Sequence, residues 1–305
     1  MKAWGGFLFF LLIVAVASLI GIYFFVGFSE FSLSPKPGSS NFSLGVSDNS
    51  SLQFYKNIRY SDSKISYRIA DVCTLQKKED AERAFKTLEE RTILDFYSVL
   101  DNEEILVTCQ SRQKIKGELF VAGEGGPVNI TKSGDFNVVH YGELLLIKQS
   151  ECPNPNVAIH EILHVLGFDH SSNKNNIMYE TSKCSQTLGD DIPELINELY
   201  AIPSNPDLTI DEVDPNLHGR YLDVNISIKN SGLKASEEAT LNIYGGNKLL
   251  ETIALQALDI GFGIKFTLQN LQVGKTNFDE LRFVIESNFD ELDKKNNEVV
   301  FELKK

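Results

Sequence analysis

Residues 160–170 read His-Glu-Ile-Leu-His-Val-Leu-Gly-Phe-Asp-His and gather three of the chain's five histidines within eleven positions. On a helix, residues four apart stand one turn from each other on the same face, so His160 and His164 can direct both imidazoles at one ion. Gly167 lets the backbone leave the helix through a left-handed residue and bend back to present His170 from below. Three neutral imidazole nitrogens leave the fourth tetrahedral position of Zn2+ open to water, the arrangement of a catalytic zinc and not of a structural one. Glu161, next to the first ligand, is placed to take a proton from that water.

Such a site needs elements that hold it. Ile65-Ser66-Tyr67-Arg68-Ile69 alternates as a short strand, and Glu104 to Thr108 reads as a second. Between them, Ala81, Ala84, Phe85, Leu88, Ile93, Phe96 and Tyr97 recur at helical spacing, which predicts one long helix over Lys77 to Val99. Strand, helix and strand imply a right-handed crossover between parallel neighbours. Tyr141 to Lys148 offers a further strand before the histidine helix, with Asn154 as its N-cap and Pro155 at its first position. Downstream, Leu188-Gly189-Asp190-Asp191-Ile192-Pro193 leads into a short helix ending near Tyr200.

The spacing H-E-x-x-H-x-x-G-x-x-H resembles that of the metzincin zinc endopeptidases. Their Met-turn has a counterpart in Asn176-Ile177-Met178-Tyr179, and Met178 is one of only two methionines in the chain. Within that group, His170-Ser171-Ser172 followed by Ile177-Met178-Tyr179 looks most like the matrixins, or matrix metalloproteinase-like enzymes. The run from Asp190-Asp191-Ile192 to Leu199-Tyr200 is similar to the matrixin C-terminal helix. The resemblance covers about residues 60 to 202. It implies an α+β domain with a twisted mixed sheet, a zinc helix, a Met-turn and a C-terminal helix. It also implies one catalytic zinc on His160, His164 and His170, with Glu161 as general base, Met178 beneath the metal, and protein or peptide as substrate. An extended substrate would add to an edge strand by β-augmentation, and Gly117 to Ile130 is the stretch expected to supply it.

Three features depart from relatives of this kind. A tyrosine two residues after the methionine, a further ligand in astacin-like enzymes, is replaced by Glu180. A second, structural zinc would need three more histidines, but only His140 and His218 remain, so that site is not expected. His140 reads as a strand residue and His218 as part of a turn-rich lead-in. No cysteine lies between the apolar N-terminus and Tyr60, so latency through a thiolate on the zinc is not supported. Calcium occurs in matrixin-like folds, but no stretch matches an EF-hand loop, and calcium stays unassigned.

Trp4 to Phe28 carries no charge, and twenty-five residues at ~1.5 Å each can cross a bilayer. Residues 4–28 therefore read as a transmembrane signal-anchor. Lys2 precedes the span and Glu30 is the first charge after it, which keeps the N-terminus cytoplasmic and places the remainder outside the cell. Cleavage after Ala15-Val16-Ala17 would instead give a secreted form. Residues 29–55 are serine-rich and read as a flexible stalk. The four cysteines suit an oxidising exterior and allow three pairings. Cys73 follows the first strand and Cys109 ends the second, so parallel neighbours would bring them together. Cys152 and Cys184 bracket the histidine helix and the Met178 turn and form the other expected pair. A net charge of −13 argues against a nucleic-acid partner, which needs a basic patch.

Ile202-Pro203-Ser204-Asn205-Pro206 breaks the chain after the predicted catalytic domain, 56–202. Residues 205–305 then change texture: Leu222-Val224-Ile226-Ile228, Ala239-Leu241-Ile243, Ile264-Phe266-Leu268 and Leu281-Phe283-Ile285 alternate with period two, and Val299 to Leu303 adds a final strand. Turn signals fall at Ser231-Gly232, Gly245-Gly246-Asn247 and Gly261-Phe262-Gly263, which predicts an all-β sandwich. Lys229-Asn230-Ser231-Gly232 and the closing stretch Asn288 to Asn297 make it similar to the CARDB-type, immunoglobulin-like domains of prokaryotic surface proteins. That resemblance implies binding of surface proteins or glycans, or spacing, and supplies no chemistry. The acidic run Asp290 to Asp293 reads as a solvated loop.

Two function classes follow. One is a membrane-anchored extracellular zinc endopeptidase. The other is a surface adhesion or scaffolding protein with a vestigial metal site. A glutamate beside an open coordination position favours the enzyme, because a purely structural site has no use for a base there.

Overall fold

The computed structural model describes residues 52–302 except 111–113, 117–118, 149–151, 219, 274–277 and 279. The expected membrane span and all but the end of the expected stalk lie outside the described residues. Among the described residues, no helix is long and apolar enough to cross a membrane.

The first half is a mixed sheet with helices packed on it. Its strands are β1 (Ile58–Tyr60), β2 (Lys64–Ile69), β3 (Asp95–Ser98), β4 (Ile105–Cys109), β7 (Gly123–Ser133) and β8 (Phe136–Leu146). A separate small ladder pairs β5 (Lys114–Lys116) with β6 (Leu119–Val121). Helix α1 (Leu75–Glu89) follows β2; α2 (Asn156–Val165) and α3 (Asp191–Ala201) follow β8. Parallel pairings join β3 to β2, β2 to β4, and both β4 and β1 to β8, while β7 runs antiparallel to β8 at the edge. Four residues, Ala81, Ala84, Phe85 and Leu88, form the apolar stripe that seats α1 on this sheet.

The predicted helix over Lys77 to Val99 is too long. It stops at the Glu90 cap, and Asp95–Ser98 pairs with β2 as an edge strand. Thr92 turns the chain by accepting from Leu94 N while donating to Leu88 O. Phe96 is then buried against Phe85, ring centroids 4.9 Å apart, so the apolar residues that extended the helical pattern serve a strand instead. Residues 52–55 do not belong to a free stalk either. Phe54 N donates to Gly167 O, Asp169 N donates to Leu52 O, and Leu52 and Tyr55 pack on the core. Helix α2 starts one residue later than expected, with Pro155 at its cap and no side-chain capping bond.

Residues 208–302 form two facing antiparallel sheets. One holds β13 (Gly263–Gln272), β10 (Tyr221–Asn230) and β9 (Leu208–His218). The other holds β12 (Lys248–Leu255), β11 (Ala239–Gly245), β14 (Glu280–Glu286) and β15 (Glu298–Glu302). Leu222, Val224, Ile226 and Ile228 meet Leu241, Ile243, Leu281, Phe283 and Ile285 in a second apolar core. Two strands were hidden from the pattern. In β9 the pairing shifts between Glu212 and Ile210, so a bulge at Asp211 breaks the alternation. Strand β12 is a largely exposed edge and needs no apolar stripe. His218 thus ends a strand and bonds Asp223, 2.9 Å away, rather than sitting in a turn.

Candidate metal centre

Helix α2 is apolar nearly all round because it is buried between β7, β8 and α1. Its buried polar side chains, Asn156, His160, Glu161 and His164, are therefore expensive to place, and Asn156 is satisfied by Lys183 O. His160 Nδ1 lies 2.7 Å from Ile177 O, and His164 Nδ1 lies 2.8 Å from Phe168 O. A carbonyl can only accept, so both Nδ1 atoms carry the proton and both Nε2 atoms present lone pairs.

Those lone pairs converge. His164 Nε2 stands 3.0 Å from His160 Nε2 and 3.2 Å from His170 Nε2. Unprotonated nitrogens repel at that range unless a cation sits among them. Four-coordinate zinc with nitrogen bonds of ~2.05 Å separates its ligand nitrogens by about 3.3 Å, so the donor set fits that ion in kind and in spacing. Burial and the neighbouring His160 imidazole hold the His164 pKa down to about 3, and burial lowers that of His160. Both rings are thus kept neutral, the form that binds metal. Among the described residues, these three histidines are the one cluster of three or more His, Cys, Asp or Glu side chains whose ligand atoms all lie within 4.8 Å.

The third ring arrives by a backbone turn. Gly167 has φ +98, Gly167 N bonds His164 O and Phe168 N bonds Leu163 O, which closes the helix and reverses the chain. Phe54 and Leu52 hold the far side of that turn, and the Phe54 ring stacks on His164 at 5.7 Å. In the turn that follows, Asn176 Oδ1 accepts from Met178 N, Ser171 N donates to Met178 O, and Met178 is buried. The turn therefore supplies the Ile177 carbonyl that orients His160.

Glu161 points its buried carboxyl toward β7. A β-carbon on Gly123 would come within 2.7 Å of Glu161 Oε1, so that strand passes directly over the carboxyl. Burial first, and the Glu124 carboxylate second, push the Glu161 pKa up to about 8. Groups with no readable signal in the sequence also serve here: the Phe54 ring and the carbonyls of Phe168 and Ile177. They act through backbone groups or packing, which no motif records.

The remaining predicted positions lie apart from this centre. Cys73, in the connection between β2 and α1, is bonded to Cys109 at the end of β4, and Cys152 is bonded to Cys184 across the entry to α2. His140 sits in β8 with Nε2 3.0 Å from Thr131 Oγ1, and burial lowers its pKa.

Residues 56–201 match the matrixin peptidase family model. Residues 205–301 match the CARDB family model. Among solved structures, a CARDB domain from Pyrococcus furiosus in complex with di-metal ions shares 16% identity at TM-score 0.28, over 32% of this chain and 87% of that one. The zinc-protease hatching enzyme HCE-1 of the medaka fish Oryzias latipes shares 20% identity at TM-score 0.23, over 36% of this chain and 46% of its own. β-Glucosidase 3B of Thermotoga neapolitana shares 16% identity at TM-score 0.21, over 32% of this chain and 17% of its own. The present chain thus spans under half the length of the latter two. No curated protein matches it. The matrixin match implies a zinc metallopeptidase, and the histidine triad supplies a centre able to hold the metal.

Proposed function

We propose that this chain is a membrane-anchored endopeptidase that hydrolyses protein or peptide substrates outside the cell, with Glu161 as the general base. The observation that carries the reading is the convergence of three imidazole Nε2 atoms, two of them from the helix that also carries the buried carboxyl of Glu161. Zinc held by His160, His164 and His170 would supply Lewis-acid chemistry, acidifying a water and polarising a peptide carbonyl.

The chain's own residues do the rest. The carbonyls of Ile177 and Phe168 hold the imidazoles in the tautomer that binds metal. Glu161 takes the proton from the attacking water and delivers it to the departing amine nitrogen. With zinc on the three histidines, the added positive charge would offset the burial that raises its pKa and favour its carboxylate form. Strand β7 pairs with β8 alone among the described strands and passes over Glu161, so its outer edge can take an extended substrate by backbone pairing. The 4–28 span would anchor the enzyme with its catalytic and C-terminal parts outward, as the charge asymmetry around the span indicates. The sandwich then faces surface proteins or glycans.

The test is digestion of an unfolded protein by the zinc-loaded chain, with and without chelator. Activity should vanish on chelation and return with zinc. Glu161→Gln should keep zinc at one per chain and lose at least about a thousandfold in kcat, since it removes both proton transfers. Stoichiometric zinc with no cleavage by the unaltered chain would favour the scaffolding alternative.

A further inference from the structure

Strand β7 is held at both ends by different parts of the molecule. Its first residues lie against α2, where a β-carbon on Gly123 would meet Glu161 Cγ at 2.6 Å. Its last residue, Ser133, reaches the sandwich. Ser133 is 1% exposed, and its Oγ lies 2.6 Å from Gly232 O, in the turn after β10, and 3.2 Å from Asn230 O, at the end of that strand. The next residue, Gly134, has φ +52, and a β-carbon there would come 2.6 Å from Ser231 O. A second sandwich loop closes on the same hairpin: a β-carbon on Gly261 would meet Lys132 O at 2.5 Å and Thr131 Cγ2 at 2.6 Å.

The receiving turn is rigid. Asn230 is fully buried, and its side chain donates to Lys234 O and Leu258 O while accepting from Asp207 N and Gly232 N. Every polar atom of that amide is satisfied, which fixes the carbonyls that Ser133 meets. The linker is tied down independently. Ser204 Oγ donates to Ser61 O, and Arg59 Nη1 lies 3.1 Å from Ile202 O. The sandwich is therefore not a bead on a free tether.

We infer that the C-terminal sandwich is a positioning part of the peptidase: by gripping the β7–β8 hairpin through Ser133, it fixes the edge strand that receives substrate over Glu161. This rests on the peptidase reading proposed above. An edge strand paired on one side frays readily, and an anchor at its distal end limits that fraying along its length. Ser133 touches no reacting atom and acts through the strand.

The experiment uses the full-length, zinc-loaded chain with Ser133→Ala, which removes the donor from two buried carbonyls. A second variant, Gly261→Ala, crowds the same hairpin at Thr131 and Lys132 from the sandwich side. Amide hydrogen exchange over residues 123–126 should accelerate about tenfold in both variants. KM for peptides of about eight residues should rise roughly fivefold to tenfold, with kcat within about twofold and zinc content unchanged. Exchange at 123–126 as slow as in the parent, with acceleration confined to 130–134, overturns the inference, as does faster exchange with unaltered KM. If the parent chain cleaves no peptide, the peptidase reading fails by itself, and exchange at 123–126 still decides whether the sandwich orders the strand.

Discussion

Gly167→Ala asks whether the turn that delivers the third histidine tolerates any side chain. At φ +98 an L residue is strained, at a cost of about 1–2 kcal/mol. Space is lacking as well. A β-carbon at 167 would overlap Ile58 Cγ2 and lie 3.1 Å from both Ile58 Cδ1 and Ile58 Cγ1. Ile58 is fully buried in β1 beneath the turn and has nowhere to go, so overpacking adds about 1–3 kcal/mol. The sum, about 2–5 kcal/mol, should appear in urea unfolding of the zinc-free chain. The strain should also reach the metal, because Phe168 O orients His164 and His170 lies just beyond. Displacing that carbonyl should weaken zinc by about tenfold to a hundredfold, the usual range for lost outer-shell partners. Competition against a chromophoric chelator measures it. Stability within 0.5 kcal/mol of the parent, or a clear loss of stability with zinc affinity unchanged, would refute the reasoning, the second result by placing the strain away from the ligands.

Other perturbations test other links. Arg59 is buried with its guanidinium on the carbonyls of Tyr60, Ser61, Leu199 and Ile202 and over the Tyr200 ring at 4.4 Å. Arg59→Met strips the end of α3 of its donors and should cost about 2–4 kcal/mol in urea unfolding, with zinc affinity unchanged. Replacing Cys73 and Cys109 together by serine opens a loop with a sequence separation of 36 and should lower stability by about 4 kcal/mol in the chain-entropy view; a change below about 1 kcal/mol would show that the reduced chain is already restrained. Burial depresses the pKa of His160 and, with the neighbouring imidazole, that of His164 to about 3. The unfolded chain therefore binds more protons as pH falls below about 6.5, so the metal-free fold should lose stability steadily from there toward pH 3. Thermal unfolding across that range checks the sign, and a flat profile would contradict it.

Much of the centre was legible because its information is local. The helical register of His160 and His164, the glycine that ends the helix and the reach to His170 all lie within eleven residues, and a helix converts that spacing into a shared face without help from the rest of the chain. The alternating strands of the sandwich core were legible for the same reason, since period two survives wherever one face is buried. The pattern failed where tertiary contacts override it. Phe96 and Tyr97 continued a helical stripe until pairing with β2 took them into a strand, and the bulge at Asp211 hid β9.

Sequence by itself determined the donor set, the carboxyl beside it and the division into a helix-bearing half and an all-β half. Only the tertiary structure decided which nitrogens of His160 and His164 turn inward, because the carbonyls of Ile177 and Phe168 that fix the tautomers come from separate turns of the chain. It also decided that Gly123 lies over Glu161 and that Ser133 bonds a carbonyl 97 residues further on. Backbone carbonyls are alike in every residue, so no side-chain pattern can announce them, and only folding brings them to the groups they orient.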